Sequence, residues 1–197
     1  MQDKLTWADI TLEQYLEIQA IKEIDSMDVM VELIRILFKI EDPESLAYTE
    51  FIKYSQELSF MSKDIERIPL KDTYQINGRN YNLKNNVMQL TTSQVIDYRN
   101  YSKEDNHIAK ILSVFLIPEG HQYNDGYDIE QVINDLLDLD IQTVVSILDF
   151  FTICWKEFIK VSVAYLTNQL KTMNLPEEKR KEIQEKVDLL QDLTSFR

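Results

Sequence analysis

Residues 141–173 read IQTVVSILDFFTICWKEFIKVSVAYLTNQLKTM, and this stretch decides the fold. Its apolar side chains recur every three or four residues, which is the spacing of one face of an α-helix. They are Ile141, Val144, Leu148, Phe151, Trp155, Phe158 and Tyr165. A second apolar strip lies beside the first and consists of Ile147, Phe150, Cys154 and Val161. The narrow polar side predicts burial, so we expect a mainly α fold, a helical bundle around a long central helix at about 141–173.

One short region departs from the helical pattern. Residues 73–83 form two segments of alternating polarity on either side of Asn77-Gly78. Asn-Gly favours a type I′ turn because both central residues of that turn need a positive φ. We therefore predict one small β-hairpin whose alternating apolar positions are Tyr74, Ile76, Tyr81 and Leu83.

The same helix-start pattern occurs twice. Thr11 is followed by Gln14, and Thr91 by Gln94, each flanked by apolar residues as in a capping box with a hydrophobic staple. The likeness has two explanations, an internal duplication or two helices that solve the same capping problem. We favour the second.

Further caps and breakers set the remaining helix boundaries. Asp25 or Ser26, Thr49, Asp128 and Asp140 are placed to begin helices. A helix from about Glu104 to Ile117 is expected to end at Pro118.

These elements predict a single mainly helical domain at 1–173, followed by a charged amphipathic helix at 176–197. Within the domain, residues 1–68 form N-terminal helices, 69–90 the hairpin region and 91–173 the central helices. The last helix has a thin apolar stripe of Ile183, Val187 and Leu190. That stripe could pack on its own domain or dock on a partner.

Charge and cysteine content exclude several classes of protein. The chain has 21 basic and 34 acidic residues, a formal net charge of −13. So negative a surface repels nucleic-acid phosphates and anionic membranes, and it attracts basic partners. The most apolar runs are shorter than the ~20 residues that a membrane span needs. A single cysteine, Cys154, forms no intramolecular disulfide and suits a reducing cytoplasm.

The sequence offers no catalytic, cofactor or metal constellation. His107 and His121 are its only histidines, and neither stands in a zinc-like cluster. No nucleophile or oxyanion motif accompanies His121, and Cys154 lies among large apolar residues that would suppress thiolate formation. Phosphate-binding glycine motifs are absent as well. We expect a protein that is not an enzyme.

The best candidate for a binding surface is acidic. From Ile111 to Trp155 there are eight acidic residues and no Lys or Arg. This stretch also holds an aromatic loop with two of the three glycines, and tyrosine is common at protein interfaces. The candidate protein-binding residues are Tyr123, Asp125, Tyr127, Asp128, Asp135 and Asp138.

Each feature of this candidate surface has a plainer explanation. The acids could form a solvated face, and the loop could pack on its own helices. If the acids do bind a partner, we expect charge reversal at Asp135 and Asp138 to weaken binding without unfolding the protein.

Four stretches, taken in order, resemble a known group of proteins. They are WADITLEQY at 7–15, YQINGRNY at 74–81, LTTSQVIDY at 90–98, and FLIPEG at 115–120 with YNDGYD at 123–128. Their order is similar to that in small proteins encoded among the virion and assembly genes of tailed phages of Bacteroidota, including crAss-like phages. The likeness covers about residues 7–165. The chain resembles more loosely the tail-assembly chaperones of other tailed phages.

The resemblance implies a non-enzymatic role in phage morphogenesis, either as a tail-assembly chaperone or as a minor head–tail or tail structural protein. Its partners would be other phage proteins, together with self-association, in the host cytoplasm or the virion. The alternative is a small acidic protein that acts on host machinery as an inhibitor or nucleic-acid mimic.

Overall fold

The computed structural model of the chain describes residues 4–22, 25–104, 107–173 and 175–192. It is mainly α, as predicted, with one long helix and a small antiparallel sheet. The helices are α1 (Leu12–Ala20), α2 (Ser26–Phe38), α3 (Tyr48–Glu57), α4 (Thr92–Tyr101), α5 (Ile108–Phe115), α6 (Ile129–Leu137), α7 (Ile141–Thr172) and α8 (Glu177–Asp192). The strands are β1 (Thr73–Ile76), β2 (Arg79–Leu83) and β3 (Leu116–Pro118). Short 3-10 turns lie at Trp7–Asp9, Pro43–Ser45, Leu58–Ser62 and Val87–Gln89.

The chain forms two compact units, Met1–Leu148 and Asp149–Arg197, and α7 contributes residues to both. The division therefore falls within the long helix, whereas the sequence suggested a boundary at the break near Pro176. Among the described residues, no helix has both the length and the apolar content that a membrane span requires.

The predicted hairpin is confirmed. β1 pairs antiparallel with β2, and Ile76 lies opposite Arg79 across the turn. The two turn residues have positive φ, 50° at Asn77 and 76° at Gly78, as a type I′ turn requires.

A third strand extends this hairpin into a sheet of order β1-β2-β3, with Leu83 opposite Leu116. The prediction of a helix through Ile117 was wrong because α5 ends at Phe115. As a strand, Leu116 and Ile117 bury their side chains and take part in the pairing with β2.

Both predicted capping boxes are present. In each, the threonine hydroxyl accepts from the glutamine backbone N–H at 3.2 Å and the glutamine side chain accepts from the threonine N–H. Asp25 and Asp140 also accept backbone bonds at the starts of α2 and α7. Thr49 does not cap α3. Ala47 O already accepts from the first turn of that helix, which places Thr49 inside it.

The starts of α1 and α7 lie side by side. Leu12 N donates to Leu139 O at 2.9 Å, and Ile141 N donates to Ile10 O at 2.8 Å. These two bonds form an antiparallel bridge between Thr11 and Asp140. The N-terminal helices of the first unit are thereby joined directly to its last helical element.

The core of the first unit lies where α1, α2, α5, β3, α6 and the start of α7 bring apolar side chains together. Its most buried members are Ile10, Leu12, Ile34, Leu112, Val114, Leu116, Ile117, Leu136, Ile141, Val144 and Ile147. Burying each such side chain contributes about 1.5–3 kcal/mol before conformational entropy is counted. The first two turns of the long helix contribute to this core.

Beyond Asp149 the apolar pattern of α7 does not produce continuous burial. Ile153, Val161 and Tyr165 are exposed, whereas Ile159 is buried. On α8, Val187 is buried at 4% exposure, and the side chain of Leu190 lies outside the described residues, as does the predicted helix beyond Asp192. The prediction that the long helix is enclosed along its length therefore fails in its C-terminal part.

Candidate functional site

Asp135 is the most tightly held of the predicted binding residues. It lies in the last turn of α6, and its residue surface is 2% exposed. Four side-chain donors meet its carboxylate. They are Tyr81 Oη at 2.5 Å, Arg79 Nη1 at 2.7 Å, Gln131 Nε2 at 2.9 Å and Asn77 Nδ2 at 3.4 Å. Three of these donors belong to the hairpin, so the carboxylate fastens β2 and its turn to α6.

The titration behaviour of this cluster follows from burial and hydrogen bonding. Burial opposes ionisation of Asp135, but the four hydrogen bonds together outweigh it and hold the pKa of the carboxyl below its ordinary value. Burial, and then the bond to this anion, raises the pKa of Tyr81 to about 12. Near neutral pH the pair is therefore a carboxylate and a neutral phenol.

Asp135 is therefore not part of an outward-facing acidic surface, and the expectation of a solvated carboxylate there was wrong. Val132 and Leu136, which flank it on the wide buried side of α6, are both buried. Reversing the charge at Asp135 would put a cation among the hairpin donors. We therefore expect this change to destabilise the first unit, in contrast to the expectation from the sequence.

Asp138 differs from Asp135 because it is exposed. It accepts a hydrogen bond at 2.7 Å from Nδ2 of Asn77, the first residue of the hairpin turn. Arg79, which forms an ion pair with Asp135, has a side chain that is 53% exposed. A cation from β2 therefore stands within the acidic stretch, although the sequence from Ile111 to Trp155 contains none.

The aromatic loop packs on α4. Tyr123 is half-buried, and its hydroxyl donates to Asp97 Oδ2 at 2.7 Å. Burial, followed by this bond to an anion, raises the pKa of Tyr123. Packing of the loop on its own helices, one of the two explanations offered above, holds for this side chain.

Tyr127 is also half-buried, and its ring meets His121 edge-on at 5.7 Å between centroids. Among the described residues, no group meets the buried hydroxyl of Tyr127 with full hydrogen-bond geometry. Burial raises the pKa of this phenol, and the nearby backbone of Asn124 offsets part of that effect. Neither tyrosine presents a free hydroxyl on an open surface.

Asp128 and Asp125 are both exposed but have different roles. Asp128 caps α6, and its Oδ1 accepts from Glu130 N at 3.1 Å and Gln131 N at 3.3 Å. Asp125 is 4.0 Å from Nδ1 of His121, a distance typical of a loose surface pair. Of these two, Asp125 is the carboxylate that serves no structural element.

What remains is a set of exposed carboxylates along the loop and α6, which we call the acidic segment. Its members are Glu119, Asp125, Asp128, Glu130 and Asp138. Glu119 accepts from Asn80 Nδ2 at 2.8 Å and so marks the edge of the segment near β2. Asp125 and Glu130 can change without breaking a cap or a hairpin bond.

The first unit also carries a groove of about 440 Å³ that the sequence did not indicate. It is lined by Trp7, Tyr15, Ile18, Gln19, Met61, Lys63, Asp64, Ile65, Arg67 and Val145. The Trp7 indole N–H donates to Lys63 O at 2.9 Å, and its ring meets Phe60 edge-on at 5.0 Å. These contacts join segments more than 50 residues apart, which explains why no local motif announces the groove.

Neither histidine lines this groove. His107 Nδ1 contacts Glu104 O at the start of α5, and His121 belongs to the aromatic loop. Burial raises the pKa of the Cys154 thiol. Within the described ranges, no group of three or more His, Cys, Asp or Glu side chains is placed to hold a metal ion.

Comparison with protein-family models, with curated proteins and with solved structures finds no match to this chain.

Proposed function

We propose that this protein is a non-enzymatic binding protein of tailed-phage morphogenesis. It would act as a tail-assembly chaperone or as a minor head–tail or tail component. The observation that supports a binding role is the acidic segment, where exposed carboxylates follow one another along the loop and α6. The phage role is proposed from the resemblance of the four sequence stretches. Such a segment attracts a partner with a basic surface and speeds its encounter with the protein.

The partner's chemistry follows from the charges. A surface rich in Lys and Arg would pair with Asp125, Glu130 and Asp138 while the caps and hairpin bonds remain intact. Exposed pairs of this kind are weak singly and are screened by salt. Binding through the acidic segment should therefore weaken steeply as sodium chloride is raised.

A capture experiment tests the proposal. The tagged full chain is incubated with lysate from phage-infected Bacteroidota cells, and mass spectrometry identifies the retained proteins. We expect head–tail or tail proteins to be retained and then lost in the double variant Asp125→Lys/Glu130→Lys. The matched control is Glu17→Lys/Glu41→Lys, which changes net charge equally at two exposed acids outside the segment.

Two outcomes would overturn the proposal, namely retention that the Asp125→Lys/Glu130→Lys variant does not reduce and retention of host nucleic-acid-binding proteins alone. The second outcome would instead favour a host-directed inhibitor. Mass spectrometry of purified particles separates the two proposed roles because a structural component is present at fixed stoichiometry and a chaperone is absent.

A further inference from the structure

The second unit exposes large apolar side chains on one side of α7. Ile153, Val161 and Tyr165 are 64%, 65% and 62% exposed. With Glu157 they occupy every fourth position and so form a single ridge of the helix surface. The ridge is about 18 Å long at 1.5 Å per residue. Isolated exposed apolar residues are ordinary, whereas three aligned on one ridge are typical of a contact surface.

The composition of the unit explains why the ridge is uncovered. Asp149–Arg197 contains only the C-terminal part of α7 and α8 among its described helices. Ile159 and Val187 are buried at 1% and 4% exposure, while the ridge remains in solvent. Two helices bury the seam between them but leave each outer side open until a further layer is added.

The distribution of charge indicates which molecule can cover the ridge. Residues 149–197 hold eight basic and eight acidic residues, so the whole formal charge of −13 lies in residues 1–148. Two copies of the chain repel each other through their first units. They meet without net repulsion through their second units, where the ridge lies.

Charged side chains around the middle of the ridge are also self-complementary. Glu157 lies on the ridge between Ile153 and Val161, with Lys160 beside it at 3.5 Å. Both charged side chains are well exposed. In a two-fold antiparallel contact that brings Ile153 of each copy near Tyr165 of the other, Glu157 would lie opposite Val161 of the other copy and one residue from its Lys160. The same axis therefore brings each glutamate close to a lysine of the other copy.

We propose that the α7 ridge, formed by Ile153, Glu157, Val161 and Tyr165, is a self-association surface that pairs with the same ridge of a second copy. The contact removes the exposed apolar side chains of both copies from water. All of the residues that it uses belong to the second unit.

Sedimentation equilibrium of the full chain tests this surface. The wild-type protein should shift with concentration from the monomer mass of 23.4 kDa to twice that mass. Val161→Glu places a charge at the centre of the ridge and should raise the dimer Kd by about tenfold or more. Ile96→Glu is the matched control because Ile96 is an exposed apolar residue on α4, in the first unit. The dimer Kd of this variant should equal that of the wild type. Circular dichroism checks that both variants keep their helix content.

A charge swap tests the two-fold arrangement. Lys160→Glu should weaken the dimer, and Glu157→Lys/Lys160→Glu should restore it, because the swap regenerates both opposite-charge contacts. A wild-type chain that remains monomeric at the highest concentration overturns the proposal. So does a Val161→Glu variant that dimerises as tightly as wild type, or a dimer that the double swap fails to restore.

Discussion

The hydroxyl of Tyr81 donates to Oδ2 of Asp135 across 2.5 Å, although 54 residues separate the two in sequence. Tyr81 lies in the middle strand of the sheet, and Asp135 lies in the last turn of α6. Together with Arg79, the bond fixes the hairpin on the helix. The stability of the first unit therefore depends on a carboxylate that sequence patterns assign to solvent.

Replacing Asp135 by Asn removes the charge and half of the acceptor capacity while keeping the size of the side chain. We expect the free energy of unfolding to fall by about 2–3 kcal/mol because hydrogen bonds to a buried charged group are strong. Urea denaturation followed by circular dichroism measures this loss. The control is Asp125→Asn, an exposed loop position, which should change stability by less than about 0.5 kcal/mol. Equal effects at the two sites would contradict the structural role of Asp135.

The same residue predicts how stability depends on acid. The pKa of folded Asp135 lies below the ordinary value of 3.8. Its contribution is therefore fully present above about pH 4 and is lost as pH falls through the folded pKa. Unfolding free energies measured between about pH 3 and pH 6 should fall more steeply toward acid in the wild type than in Asp135→Asn. Parallel curves would show that another group dominates acid unfolding.

The two capping-box glutamines provide a matched pair. Gln94 is 3% exposed, and its Nε2 donates to Val114 O at 2.7 Å. Gln14 is half-buried, and its Nε2 donates to Ile36 O at 3.1 Å. We expect Gln94→Ala to cost about 2–4 kcal/mol and Gln14→Ala about 1–2 kcal/mol, since unpaired groups are more costly where water cannot reach them. Thermal unfolding of both variants checks the order, and a reversed order would contradict it.

The hairpin turn allows a test of backbone conformation in which no side-chain contact changes. Gly78 has a φ of 76°, and a methyl group there would meet no atom within 4 Å. Gly78→Ala should therefore destabilise the protein by about 1–2 kcal/mol, entirely through the left-handed backbone. Gly78→Asn should cost less because asparagine tolerates this region better than alanine. Chemical denaturation distinguishes the two, and a smaller loss for alanine than for asparagine would refute the explanation.

Features set by neighbouring residues could be predicted from the sequence. The Asn77-Gly78 turn, the Thr11 and Thr91 capping boxes and the long helix beginning at Ile141 all depend on short patterns. Each pattern satisfies its own backbone groups or dihedral angles within a few residues. Packing against the rest of the protein therefore did not alter these predicted elements.

Features set by distant pairing could not be predicted in this way. Leu116 and Ile117 suit a buried helix end and a buried strand equally well, and the choice depends on the free edge of β2. Asp135 looks like any surface acid until the donors of the hairpin are placed around it. Its position three residues after Val132 and next to Leu136, on the buried side of α6, was the available signal.

The features of the candidate surface also divide into those set by neighbouring residues and those set by distant contacts. Exposure of Asp125 could be anticipated from its neighbours in the loop, Asn124 and Gly126. The attachment of Tyr123 to Asp97 could not, since it brings the loop onto a helix 26 residues earlier. The groove beside Trp7 likewise depends on contacts between separate segments.

The bridge between Thr11 and Asp140 has a consequence for synthesis of the chain. Ile10 O and Leu12 N find their hydrogen-bond partners in residues 139–141. As the polypeptide emerges from the ribosome, α1 lacks its final contacts until the start of α7 has been synthesised. We therefore expect the amino-terminal segment to acquire protease resistance late in translation, after α5 and α6 are available to pair with each other.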